Sequence, residues 1–289
     1  MVSYKLLSFL LLSIIMVSSV QAQSNAETEI RVMSYNIRYD NPDDGVNRWT
    51  NRRDRVASLI QFNKGEIIGL QEALHRQITW LDDRLEAYDW VGVGRTDGKL
   101  EGEFSPILYN AQRFEMLQNG TFWLSPTTEK PSKGWDAALP RICTWVRLKE
   151  RTSGKEFLFF NTHFDHRGEQ AREESAKVIM QKINEISDEA TPVILTGDFN
   201  TQPNSAPYNV ITKTLADAFE HTSVPHSGPT ATYLDEGGGF SVSRGEGGRR
   251  IDYIFTNENV AVLRHGILST FRDGRFPSDH LPVVADVTF

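Results

Sequence analysis

Short β-patterned segments separated by turn signals fill most of residues 30–289, and helical periodicity appears only in single stretches between them. Residues 30–37, 66–71, 89–93, 105–109, 114–123, 142–149, 156–162, 192–196, 251–256, 260–269 and 282–287 are β-branched, aromatic or alternating, and read as strands. Ser153-Gly154 marks a hairpin between two of them. Residues 50–62 repeat apolar side chains at Val56, Leu59 and Ile60 and stop at Asn63-Lys64-Gly65. Residues 77–85 form a second helix. Residues 168–186, with Ala171, Ser175, Val178, Ile179 and Ile183 on one face, form the clearest amphipathic one. Groups of strands with isolated helices predict an α/β fold of two packed, mostly antiparallel sheets with helices outside.

At 289 residues and 39% hydrophobic content the chain can bury one large core, and no repeat or domain-breaking linker divides it. Lys5, the apolar run 6–17 and the small residues ending at Ala22 read as a signal peptide over 1–22, too short to span a membrane. A polar linker at 23–29 and a domain at 30–289 follow. The expectation is a monomer, secreted or periplasmic after cleavage near Ala22, with no stable membrane insertion. The lone Cys143 excludes a disulfide framework and reads as a buried structural thiol. A net charge of -7 provides no global field for a polyanion, so any phosphate contact is local. Residues 96–103 and the glycine-rich 235–250 read as mobile loops; the latter lacks the Gly-Lys-Ser/Thr ending of a nucleotide phosphate loop.

Several strands end in polar groups with no packing reason to be there: Ser34-Tyr35-Asn36, Leu70-Gln71-Glu72, Asn161-Thr162-His163 and Gly197-Asp198-Phe199-Asn200. Ile251-Asp252-Tyr253 and Ser278-Asp279-His280-Leu281-Pro282 follow near the C-terminus. Taken singly, Asn36 and Asp198 suit turns, Glu72 a helix cap and His280 a core histidine. Asp252, inside an apolar strand, is harder to dismiss, because a buried carboxylate needs a partner such as histidine.

Taken in order, these six motifs resemble the endonuclease/exonuclease/phosphatase superfamily. That group includes pancreatic-type deoxyribonucleases, apurinic/apyrimidinic endonucleases, deadenylases, neutral sphingomyelinases and inositol-polyphosphate 5-phosphatases. The likeness runs from Ile30 to Phe289. It implies a four-layer α/β sandwich and a phosphoesterase that uses activated water. By the resemblance, Glu72 is the principal ligand of Mg²⁺ or Mn²⁺, helped by Asn36 and Asp279. His280 lies beside the scissile phosphate and Asp252 orients it. Asp198 positions or deprotonates the attacking water, Asn200 steadies a phosphate oxygen, and His163 contacts the phosphate.

Arg38 stands where some nucleases of the group carry an acid, which puts a second metal in doubt; a phosphate contact and a surface ion pair are both open to it. His163 and His166 lack the further ligands a zinc site needs. Trp123 and Trp135 suit packing over the core better than stacking on substrate. The expected substrate is a phosphodiester, nucleic acid among the possibilities, with a sugar, inositol or lipid phosphomonoester as the alternative. A non-enzymatic protein on the same fold would have lost Glu72, Asp198, Asp252 or His280, and all four are present.

Overall fold

The computed structural model describes residues 29–234, 239–241 and 248–289. The segment read as a signal peptide, and most of the linker after it, lie outside these residues, as does much of the loop 235–250. The first half of the chain forms β1 (Ile30–Asn36), α1 (Trp49–Asn63), β2 (Ile67–Gln71), β3 (Ala73–Leu74), α2 (His75–Asp82), β4 (Tyr88–Val91), β5 (Glu103–Phe104), β6 (Ile107–Asn110) and β7 (Phe114–Trp123). The second half forms β8 (Ile142–Glu150), β9 (Glu156–His163), α3 (Glu169–Ile186), β10 (Val193–Asp198), α4 (Ala206–Ile211), β11 (Ala216–Asp217), β12 (Asp252–Thr256), β13 (Ala261–Ile267) and β14 (Val283–Thr288).

Two six-stranded sheets carry the fold, in the orders β13-β14-β1-β2-β6-β4 and β11-β12-β10-β9-β8-β7. All neighbours are antiparallel except one central pair in each sheet, β1 with β2 and β9 with β10. Parallel neighbours need a crossover, and α1 and α3 supply the two. Each crossover brings two strand C-termini side by side, so Asn36 lies opposite Gln71 and Asp198 lies between His163 and Asp252.

Strand alternation divides the core into three. Ile30 and Val32 point between the sheets with Ile67, Phe157, Phe159, Ile194 and Ile254. Met33, Tyr35 and Ile37 point outward beneath α1 and α2. Leu158, Phe160 and Leu195 face α3 and α4. The result is helix, sheet, sheet, helix, the four-layer sandwich the motifs implied.

The inter-sheet layer changes character along its length. Its residues run from apolar at one end, through a buried polar band, to the ionisable groups at the other. In that band Gln71 Nε2 donates to Asn161 Oδ1 (2.7 Å) and Thr196 Oγ1 donates to the same oxygen (3.1 Å). Asn161 Nδ2 donates to the Leu70 and Pro106 carbonyls (2.7 and 3.0 Å), joining the two sheets. Gly69 fits there because a Cβ would collide with the Asn161 and Thr196 side-chain oxygens.

Residues 96–103 are more tied down than a mobile loop implies. Asp97 accepts the N–H groups of Lys99 (2.8 Å) and Glu101 (2.9 Å), and β5 pairs with β3. Trp123 is buried and donates Nε1–H to the Arg95 carbonyl (2.8 Å), a packing role. Cys143 is fully buried, and burial pushes its thiol well up, as an inert core residue requires. No helix among the described residues is long and apolar enough to cross a membrane.

Candidate active site

Two loops at the polar end are locked together by a side chain from beneath. Arg52, on α1 and 3% exposed, donates to the carbonyls of Ile37, Arg38 (2.6 Å) and Pro277 (3.2 Å). Ser278 Oγ donates to the Asn36 carbonyl at 2.7 Å. These bonds bring the end of β1 against the Ser278–Leu281 turn. Three non-glycine residues just past strand ends, Arg38, Glu72 and Asn200, adopt left-handed backbone (φ 55°, 60° and 48°). Such conformations cost about 1–3 kcal/mol each and concentrate at functional sites.

All eight expected residues converge on this end. Asn36 is the hub: Nδ2 donates to Glu72 Oε1 (3.2 Å) and Asp198 Oδ2 (2.9 Å) and lies 3.5 Å from His280 Nε2. Its side-chain oxygen Oδ1 accepts the Arg38 backbone N–H at 2.9 Å. Asn36 therefore ties two carboxylates together through its amide. Glu72 also accepts the Tyr39 N–H (3.1 Å). Burial works against its charge, but the Arg38 guanidinium and His280 hold its carboxyl below the usual value.

Asp198 Oδ1 accepts the Asn200 backbone N–H (2.9 Å). Burial, then the charge of Asp252, pushes the Asp198 carboxyl up to about 7. His280 Nδ1 meets Asp252 Oδ2 at 2.9 Å, which turns Nε2 toward Asp198 Oδ2 at 3.7 Å. Burial opposes protonation of His280, yet Asp252 and Asp198 raise it to about 10, so it is an imidazolium at neutral pH. The Tyr233 ring packs on it at 4.8 Å between centroids. His163 behaves oppositely. Burial and the nearby Arg141 and Arg95 hold it well below its ordinary value. It takes Asn200 Nδ2 at 3.1 Å and lies 3.4 Å from Asp198.

Asp279 and Arg38 occupy related places. Arg38 forks onto Asp44 (3.1 and 3.2 Å) and stands 3.9 Å from both Glu72 and Asp279. Arg38 is thus ion-paired with Asp44 at the wall of the cavity, close to both Glu72 and Asp279.

Two sets of groups lie close enough to share a cation: Glu72, His163 and Asp198, and Asp198, Asp252 and His280. The second is a histidine–carboxylate pair whose imidazolium carries the positive charge already. The first fits a hard divalent ion. Two carboxylates are held together at the cavity wall on one neutral amide, with a neutral imidazole beside them, and no cysteine is near.

Sequence reasoning passed over several residues of the same cavity, among them Tyr39, Glu103, Leu139, Arg141, Tyr233 and Arg249. Glu103 lies 3.8 Å from His163 and 2.8 Å from Arg95. Only the Asn-Thr-His-Phe-Asp-His run, ending in a charged cluster, hinted at the Arg141 side.

A match to the Endonuclease/Exonuclease/phosphatase family model extends over residues 33–280. The chain belongs to this family. The endonuclease/exonuclease/phosphatase proteins of known structure include a mannosyl-6-phosphatase from Bacteroides thetaiotaomicron that is 37% identical, with TM-score 0.84 over 90% of this chain and 100% of its own. A family protein from Bacteroides vulgatus is 39% identical, with TM-score 0.85 over 90% of this chain and 98% of its own. An uncharacterised protein of Acanthamoeba polyphaga mimivirus is 28% identical, covering 83% of this chain and 92% of its own length. Family membership makes the chain a phosphoesterase of this class.

Proposed function

We propose that the protein is an exported, monomeric, divalent-metal-dependent phosphomonoesterase that acts on small phosphate esters of the sugar-phosphate class. The carrying observation is one bounded cavity of about 510 Å³ that gathers the carboxylates, histidines and arginines of the site. Arg38, Arg141, Arg249 and the His280 imidazolium face Glu72, Glu103, Asp198 and Asp279 there. Asp252, Asp165 and Asp44 stand behind His280, Arg141 and Arg38 as their ion-pair partners, so a divalent ion held at Glu72 would add the positive charge that faces the phosphoryl oxygens. A diester needs room for a second arm in this bounded cavity. This favours the monoester over the diester expected from the motifs. The similarity to a mannosyl-6-phosphatase supports the sugar-phosphate class, and Lys5, the apolar run 6–17 and the small residues ending at Ala22 support export.

Glu72 is the principal residue to hold Mg²⁺ or Mn²⁺, with Asp198 and His163 beside it and Asn36 fixing the two carboxylates. When bound, such an ion supplies charge neutralisation at a phosphoryl oxygen. Asp198, poised near 7, removes a proton from the attacking water. His280, held charged by Asp252, faces the negative charge that develops on the phosphoryl group. Neutral His163 and the Asn200 amide provide hydrogen bonds without adding charge.

The test is a panel with Mg²⁺: mannose and glucose 6-phosphates, inositol phosphates, bis-aryl phosphodiester, sphingomyelin, RNA and plasmid DNA. We expect a sugar phosphate to exceed every diester in kcat/KM by at least about tenfold. A diester as the best substrate contradicts the monoesterase reading.

A further inference from the structure

Residues 134–141, at the end of the β7–β8 connection, carry Arg141 into the cavity wall beside His163. One carboxylate governs its placement. Asp165 accepts N–H bonds from Leu139 (3.2 Å), Arg167 (3.0 Å), Gly168 (2.9 Å) and Arg141 Nε (3.2 Å). Asp136 accepts the Ala171 N–H (2.7 Å) in the first turn of α3, pinning the segment at a second point.

Arg141 is 3% exposed and Asp165 fully buried. Arg141 Nη2 meets His166 Nδ1 at 2.9 Å. A guanidinium donates there, so Nδ1 accepts and the imidazole is neutral. Nη1 remains. It is buried and has no protein partner among the described residues, in a side chain that lines the cavity of Asp198, His163 and His280. Among the described residues Asp165 is the carboxylate hydrogen-bonded to Arg141 and Glu103 also faces its charge, so what stays open is an acceptor for Nη1. A hydroxyl would satisfy Nη1, and an anionic oxygen makes the stronger, charge-assisted bond.

We infer that Arg141 clamps the non-bridging oxygen of the substrate phosphoryl group that a diester would carry as its second ester bridge, and so selects the monoester dianion over the diester monoanion, with Asp165 as its positioning residue. The inference deepens the phosphomonoesterase reading and rests on the same cavity.

Calorimetric titration with inorganic phosphate and with dimethyl phosphate, in Mg²⁺, tests it on the wild type, Arg141→Gln and Arg141→Lys. The wild type binds phosphate more tightly than dimethyl phosphate. Arg141→Gln weakens phosphate binding by about 10–100-fold and dimethyl phosphate by less than about threefold, as loss of a charge-assisted bond to the extra anionic oxygen requires. Arg141→Lys keeps the charge, loses the fork and recovers part of the affinity. Phosphate affinity within threefold of wild type in a normally melting Arg141→Gln overturns the clamp, and equal weakening of both ligands overturns the selection. If Arg141→Gln does not fold, Arg141→Lys carries the test, and unchanged phosphate affinity in it overturns the clamp. A wild type that prefers phosphate in binding but hydrolyses only diesters overturns the proposed function while leaving Arg141 its role.

Discussion

Replacing His280 by Ala lowers kcat by at least about 100-fold at neutral pH, because its imidazolium both faces the charge that develops on the phosphoryl group and lies 3.7 Å from Asp198, the proton acceptor. The imidazolium is fixed by Asp252 at 2.9 Å and is raised to about 10, so the wild-type group is charged across the neutral range. Asp198, pushed up to about 7, must lose its proton to accept one from water. Activity therefore climbs as pH rises toward 7 and falls as pH approaches 10. A cation beside Asp198 favours its charged form and moves the acidic limb lower. In His280→Ala the alkaline limb disappears. A drop under about threefold, or an alkaline limb that survives, removes His280 from the chemistry.

Replacing Glu72 by Gln abolishes metal-stimulated hydrolysis while the fold persists. Gln keeps the side-chain shape and an oxygen for the Tyr39 N–H, so the left-handed turn at Glu72 is disturbed little. The charge is lost, and Asp198 alone faces the cation. Affinity for Mg²⁺ drops by more than about 100-fold on removal of a principal anionic ligand. Chelation stops the wild type, and Mg²⁺ or Mn²⁺ restores it. Full activity in Glu72→Gln with a normal melting curve removes Glu72 from the site; restoration by zinc alone reassigns the metal.

The strand ends were legible because alternation is strict. Once Ile30 and Val32 face the inter-sheet layer, Ser34 and Asn36 must face it too, and the same holds for Phe157 through His163 and for Ile194 through Asp198. Polar residues at inward positions are costly unless they meet partners, and they meet each other. The two parallel crossovers decide which ends coincide, a fact of topology no local pattern states.

What escaped the sequence depends on long-range contact. Arg141 and Asp165 stand 24 positions apart on different strands' margins, and nothing local in either reveals the pairing. Asn36 was expected as a ligand, but whether its amide presents nitrogen or oxygen is set by Arg38 and two carboxylates. Asp279 was expected beside Glu72 by the resemblance, and the Arg38 guanidinium that stands 3.9 Å from each of them could not be read from the motif. The loop 96–103 looked mobile by composition, yet Asp97 closes it on itself.

Anomalous scattering from a crystal soaked in Mn²⁺ and phosphate tests the central claim most directly. The account predicts one strong manganese peak within about 2.3 Å of a Glu72 carboxylate oxygen, with the phosphate between it, His280 and Arg141. Manganese bound away from Glu72, in crystals of protein that Mn²⁺ fully activates, contradicts it.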